Sequence, residues 1–398
     1  MGNVKYVWGE GVYTLLSWFS MERVKSARVL VAGCGALGNE VVKNLALFGV
    51  GHIYVVDFDR IEVTNLTRSV LFREEDAFTH AYKAEVVARR AREINPQIEV
   101  TPIVGNLASE VGLGLYRSVD VVIGCLDSLI ARYLLNRMCM RAGKTWIDGG
   151  IENLTGMARV FTPGVSCFEC SLTREEFNHI MIRTGCADVV RLQAEAGRMA
   201  TTPISASIIA AIQVQEALKV IHRGTEAEKQ FRTLEGRWLN YEGMTNSMKV
   251  FRNQAWKNTC PSHEQWAGIV RCTPLSATTT VRDALQMIAE RLQAKEVEIN
   301  MRNNKFVDWI MADKTEEKFE VMLPESKLQA YINDTIQLRQ LSRITHFFQN
   351  FYDNINADFP YKDLTLQQIG IPPYDIIQVT TNQGTHYVEL SADAPLFT

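Results

Sequence analysis

The sequence predicts an α/β fold, a doubly wound and mainly parallel sheet, followed by a smaller α+β domain. Three observations carry that reading. First, an apolar run, Val29-Leu30-Val31-Ala32, leads into Gly33-Cys34-Gly35-Ala36-Leu37-Gly38. A helical pattern with Val41, Val42, Leu45, Ala46 and Phe48 inward follows, then a second apolar run ending on Asp57. Second, strands return at 119–125 and 146–148 with a helix between them. Third, after Pro274 the pattern shifts to short strands around one helix, Val281–Leu292. The first unit is Rossmann-like. Its glycines let backbone approach a phosphate, the helix N-terminus supplies N–H groups and positive dipole, and Asp57 can hold a ribose.

Alone, this turn suits a nicotinamide or flavin dehydrogenase. The stretch from Asp57-Phe58-Asp59 to Asn65-Leu66-Thr67-Arg68 points elsewhere. A dehydrogenase has no use for a second acid, an amide and a guanidinium just past the ribose position. Attack on the α-phosphate of ATP does, because charge builds there and fixed donors must meet it. The plain alternative is a solvated loop with one surface arginine.

Composition bounds the class. The 398 residues, 46% hydrophobic and 22% charged, suit two or three globular domains. A net charge of -3 and no dense Lys/Arg run argue against nucleic acid as the main partner. No uninterrupted apolar stretch nears about 18 residues and no signal-peptide layout opens the chain, so a cytoplasmic protein without membrane contact is expected. The 8 cysteines include one close pair, which favours metal or thiol chemistry over a disulfide framework.

In chain order, residues 1–27 read as a short amphipathic helix packing on the first strand. A helix over 81–94 presents Ala84, Val87, Ala88, Ala91 and Ile94 on one face, and 98–104 is a strand. Lys83 opens that helix, where a cation is poorly placed for the dipole; it is either a surface residue or aimed at a ligand. Asp127 ends the 119–125 strand, as an N-cap for the next helix or as a Mg²⁺ ligand. Asp148-Gly149-Gly150 reads as a sharp turn, after which the sheet turns antiparallel.

Cys167-Phe168-Glu169-Cys170 and Cys260-Pro261-Ser262-His263 share one spacing, which suits a tetrahedral structural Zn²⁺ site closing a long loop. Redox chemistry at the first pair, and Cys272 as fourth ligand in place of His263, are the alternatives. Between the pairs, the polar segment of about 171–200 carries Cys186, with no partner cysteine at metal spacing. It is read as a nucleophile rather than an inert buried thiol, because the segment lacks the apolar periodicity that would bury it. Thr201-Thr202-Pro203 then starts a long apolar helix.

These stretches together resemble the E1-type enzymes that adenylate ubiquitin-like proteins, whose sheet and nucleotide loop are shared with bacterial activators of sulfur-carrier proteins. The resembling segments are VLVAGCGALGNEVVKNLALFGVGHIYVVDFDRIEVTNLTR, GCLDSLIARYLLNRMC, WIDGGIENLTGMARVFTPGVSCFEC and TTPISASIIAAIQVQEALKVI, in family order over most of residues 28–265. The resemblance implies an enzyme with an adenylation domain at 28–268 that takes ATP, Mg²⁺ and Zn²⁺. It gives Gly33, Gly35 and Gly38 the phosphate turn, Asp57 the ribose, Asn65, Arg68 and Lys83 the phosphates, and Asp127 the Mg²⁺. The zinc ligands would be Cys167, Cys170, Cys260 and His263, and Cys186 the thioester cysteine on a crossover far shorter than a separate cysteine domain.

Two departures stand out: the second zinc pair reads CxxH rather than CxxC, and residues 1–22 lack the arginine that the family supplies from an N-terminal helix across its dimer interface. The region 274–398 resembles the β-grasp (ubiquitin-like) domain that ends E1 enzymes and recruits the E2 conjugating enzyme, with a helical insertion at about 324–360. The partners implied are a ubiquitin-like protein, an E2-like enzyme and a second subunit, in a homodimer or heterodimer. A sulfur-carrier adenylyltransferase and a non-catalytic scaffold subunit are the alternatives.

Overall fold

The computed structural model describes residues 8–9, 11–184, 201–253, 255–301, 305–312, 318–338 and 345–393. Two compact units share the chain: 1–107 with 116–265, and 108–115 with 266–398.

The first unit is built on eight strands: β1 Arg28–Ala32, β2 His52–Val56, β3 Glu99–Ile103, β4 Val121–Gly124, β5 Trp146–Glu152, β6 Thr155–Phe161, β7 Arg237–Glu242 and β8 Ser247–Arg252. They lie in the order β3-β2-β1-β4-β5-β6-β7-β8. The first five in that order are parallel, and β6 to β8 are added antiparallel. A Rossmann-like, doubly wound order therefore reverses between β1 and β4, which opens a crevice at their carboxyl ends. Strands covered on both faces read as continuous apolar runs. Val29 and Val31 point into a cluster with Val41, Val42 and Leu45 of helix Ala36–Phe48 and Ile209, Val214 and Ala217 of helix Pro203–Ile221. Leu30, Tyr54 and Val122 are as deeply buried and, by alternation, face the other side.

Helix Pro203–Ile221 is long and apolar enough by length and composition to cross a membrane. Here it lines the core: Thr202 caps it by accepting from the Ser205 N–H, and its buried Gln213 and Glu216 bond to the backbone of Gly124 and Leu234. The expected single N-terminal helix is instead a 3₁₀ turn, Tyr13–Leu15, and a short helix, Met21–Ser26. Aromatic side chains and hydrogen bonds, rather than helical periodicity, hold this segment. Tyr13 and Trp8 donate to the Leu47 carbonyl, and the Ser20 N–H donates to Nε2 of buried His222. Asp148, Gly149 and Gly150, expected as a turn, continue β5. The reversal falls at Asn153, whose φ is +55°.

In the second unit, a separate antiparallel sheet is made of β11 Phe306–Ala312, β12 Lys318–Pro324 and β13 Thr345–Tyr352, in the order β12-β11-β13. Residues 324–360, expected as a helical insertion, thus hold helix Glu325–Leu338 and then a strand whose aromatic content suits β structure. Around it, β9 Val270–Cys272, β10 Val297–Asn300, β14 Asn354–Ile355, β15 Ile376–Thr381 and β16 Gly384–Leu390 form a mixed sheet in the order β14-β10-β15-β16-β9. Its first and last strands in the chain, β9 and β16, run parallel as neighbours. Helix Val281–Leu292 packs Val281, Ala284 and Ile288 against Ile299, Ile377, Val379 and Val388. Residues 366–370 are a run of turns.

Candidate functional site

The Gly-rich turn lies at the carboxyl end of β1. Gly33 has a φ of +96°, and a Cβ there would stand 2.4 Å from the Cys125 carbonyl oxygen. A Cβ on Gly38 would stand 2.0 Å from the Gly33 carbonyl oxygen, so turn and helix pack backbone on backbone. Gly35 differs: nothing lies within 4 Å of its Cβ position. Two glycines serve close packing, and the middle one faces open space.

Asp57 follows β2. Its carboxylate accepts from the Cys34 N–H at 2.7 Å and from the Asp59 N–H at 2.8 Å. Burial pushes the Asp57 carboxyl above the usual range, against the pull of Lys83 and of the Cys34 N–H. Lys83 opens helix Lys83–Ile94 and pairs with Asp59 at 2.7 Å. Burial alone would lower the ammonium's pKa; Asp57, Asp59 and Asp127 more than offset it, so the group is raised and keeps its charge. The poorly placed helix-opening cation is therefore matched by three carboxylates of the crevice.

Asn65 and Arg68 sit half-buried on the connection after β2. The Asn65 side chain accepts from the Glu62 N–H at 3.0 Å, and Arg68 donates to the Thr64 carbonyl at 2.8 Å. Asp127 is exposed beyond β4. Helix Leu129–Ala142 is capped by Ser128, which accepts from the Ala131 N–H at 3.1 Å, so the cap role open to Asp127 in the sequence belongs to its neighbour. Cys186 lies outside the described residues.

Arg132 has no place in the sequence reading, and Asp148 appears there only as part of a turn. Asp148 is fully buried and accepts from Arg132 at 2.9 Å and from Arg159 at 2.8 Å. Arg132 also donates to the carbonyls of Leu126 and Gly149, at 2.6 and 3.0 Å. The triad thus grips the backbone next to Asp127. Removing one partner strands a buried charge, so Asp148→Ala is expected to cost about 3–5 kcal/mol. A denaturant midpoint shift equivalent to less than about 1 kcal/mol would deny the triad that role.

The ligand atoms of Cys167, Cys170, Cys260 and His263 all lie within 4.8 Å of one another. A tetrahedral zinc with bonds of about 2.3 Å to sulfur sets its ligands roughly 3.8 Å apart, which this cluster fits. Asn136 Nδ2 donates to the Cys167 sulfur at 3.3 Å and the Lys257 N–H to the Cys170 sulfur at 3.4 Å, bonds that suit thiolates. Trp256 stacks on the His263 ring, whose buried Nδ1 has no hydrogen-bond partner among the described residues. Ser262 donates to buried Glu169, tying the two pairs together. Cys272, the alternative ligand, is buried in the core of the second unit.

A Gly-rich turn, buried Asp57 and Lys83 among its carboxylates lie at the carboxyl ends of parallel strands in an α/β sheet, and the same unit carries a Cys₃His cluster compatible with a metal ion. The chain belongs to the ThiF family, which matches residues 12–262. That membership bears out the superfamily resemblance carried by residues 28–265. The Anopheles gambiae protein named adenylyltransferase and sulfurtransferase MOCS3 is 29% identical, over 68% of this chain and 59% of that protein. The NEDD8-activating enzyme E1 catalytic subunit of Arabidopsis thaliana is 38% identical, over 36% of this chain and 34% of that one. The SAMP-activating enzyme E1 of Haloferax volcanii is 31% identical, over 56% of this chain and 75% of that one. This chain therefore spans less than two thirds of the first two. Among solved structures, E. coli MccB with ATP matches at a TM-score of 0.49 and 25% identity, over 61% of this chain and 68% of that one.

Proposed function

We propose that this chain is an ATP-dependent, E1-like activating enzyme that adenylates the C-terminus of a ubiquitin-like protein, holds it as a thioester on Cys186 and passes it to an E2-like enzyme. The observation that carries the adenylation step is Lys83, ion-paired to Asp59 at 2.7 Å and in the field of Asp57 and Asp127, at the carboxyl end of the parallel strands of a ThiF-family chain. Asp57 holds the ribose hydroxyls, the N–H groups around Gly33, Gly35 and Gly38 approach the phosphates, and Lys83, Asn65 and Arg68 meet the charge. The exposed Asp127 carboxylate suits a nucleotide-bound Mg²⁺, which when bound neutralises phosphate charge. The modifier's carboxylate oxygen bonds to the α-phosphorus as the bond to the bridging oxygen breaks and pyrophosphate leaves. The Cys186 thiolate then bonds to the acyl carbon and AMP departs, and the E2 thiolate later displaces Cys186 in turn.

The Cys₃His knuckle is read as a structural Zn²⁺ site, and 274–398 as the E2-recruiting part. Dimerisation through the adenylation unit and a cytoplasmic location complete the proposal. A second reading, activation of a sulfur-carrier protein, is supported by the names of the Anopheles relative and of the Thermus thermophilus sulfur carrier protein adenylyltransferase, 32% identical over 206 residues.

One experiment separates the two. With ATP and a ubiquitin-like partner, wild type is expected to form an adduct that survives non-reducing gels and disappears with reducing agent. Cys186→Ala should block the adduct while pyrophosphate exchange continues. An unchanged adduct in Cys186→Ala removes this cysteine from the reaction, and exchange without any adduct favours the sulfur-carrier reading.

A further inference from the structure

We propose that Asn39 is a positioning residue of the nucleotide site, clamping the Gly-rich turn to the connection that carries Arg68. This inference rests on the adenylation reading of that site. Asn39 is the fourth residue of helix Ala36–Phe48 and is fully buried, beside apolar Val41 and Val42. Its Nδ2 donates to the carbonyls of Cys34 and Gly35, at 2.8 and 3.0 Å. Its Oδ1 accepts from the Leu71 N–H at 2.9 Å. These partners fix the amide orientation, because carbonyls only accept and a backbone N–H only donates.

A local helix cap would reach only its own turn. Asn39 also reaches a backbone group 32 residues away, three positions past Arg68. Its two donors draw the Cys34 and Gly35 carbonyls into the core, where their negative ends do not oppose an incoming phosphate. Its oxygen fixes the far end of the Arg68 connection, whose near end is set by buried Ile61. The phosphate turn and the arginine are thereby held as one unit. In an adenylation site that ordering matters, because donors must sit where charge develops before it develops.

The test is a double-mutant cycle read by calorimetric binding of the non-hydrolysable analogue AMP-CPP. Asn39→Ala strips all three bonds. Asn39→Asp keeps the acceptor for Leu71 but sets a carboxylate oxygen against two carbonyls. Each is expected to weaken binding by about tenfold or more, the scale of one stranded buried polar group. In an Arg68→Ala background, Asn39→Ala should cost clearly less than in wild type, because the part of its effect that runs through the Leu71 end of the Arg68 connection is already lost. A full, additive loss in the double variant, or an unchanged affinity in Asn39→Ala, overturns the clamp.

Wild-type amide exchange supplies a measurement that needs no variant. AMP-CPP should raise protection at 33–38 and 68–72 together, and protection of the turn alone overturns the proposal. Nucleotide binding without pyrophosphate exchange for any modifier sinks the adenylation reading and leaves the clamp standing. No nucleotide binding by the wild-type chain sinks both.

Discussion

Alanine at Asp127 is expected to abolish modifier-dependent exchange of pyrophosphate into ATP, by about a hundredfold or more, in a chain that stays folded. Asp127 is exposed, and the helix that follows it is capped by Ser128. Its removal therefore strips no cap and leaves no buried group without a partner. Its charge is instead spent on the crevice, where it is one of three carboxylates acting on Lys83. Arg68→Ala should behave alike, since the Arg68 guanidinium bonds to the nearby Thr64 carbonyl and its loss leaves no buried charge behind. Asn65→Ala should show a mixed defect, because Asn65 also accepts from the Glu62 N–H in its own 3₁₀ turn. Exchange isolates adenylation from the later thiol step, and a melting curve run beside it separates chemistry from folding. Undiminished exchange in Asp127→Ala would take Asp127 out of the site.

His263→Ala is expected to lower bound zinc from close to one per chain to a small fraction of that. Its melting midpoint should fall by roughly 10 °C, the scale of about 3–4 kcal/mol for a unit of this size. The four donors come from two chain segments about ninety residues apart, so the ion closes a long loop, and structural zinc contributes to folding outright. Without metal, three thiols and an imidazole crowd together with few partners besides Asn136, Lys257 and one another. Chelation of the wild-type protein should reproduce the defect, and Cys272→Ser should leave zinc content unchanged. Full zinc occupancy in His263→Ala would move the fourth ligand elsewhere.

The first strand, the glycine turn and the acid after the second strand were legible because a buried parallel strand and a phosphate turn each impose a local pattern. Four apolar residues followed by Gly33, Gly35 and Gly38 fit a buried strand running into a phosphate turn and little else. Helix Val281–Leu292 could be read to the residue, since a Thr280 cap and a one-sided apolar face are both local signals. The two metal pairs were legible for the same reason. Spacing within each pair is set by one turn of chain, and only their meeting needed the fold.

Elsewhere the sequence misled or was silent, most often because the deciding partner lies far along the chain. Asp148-Gly149-Gly150 looks like a turn by residue type. It is a strand because β4 and β6 pair on either side, Gln213 fills the space where a Gly149 side chain would lie, and Arg132 and Arg159 neutralise Asp148. For Asp127 the sequence left a cap and a Mg²⁺ ligand open, and its neighbour Ser128 takes the cap bond. The stretch Thr345–Tyr352 has helical spacing on paper, yet it pairs with β11. The sequence alone carried most of the elements and the Gly-rich turn, because these follow from neighbours within one turn of chain. Only the folded chain sets Lys83 beside Asp59 in the field of Asp57 and Asp127, joins Asp148 to Arg132 and Arg159, and bonds Asn39 to Leu71. Each of those contacts joins residues that are apart in the chain, and a buried charge or amide is satisfied by whatever partner the fold delivers.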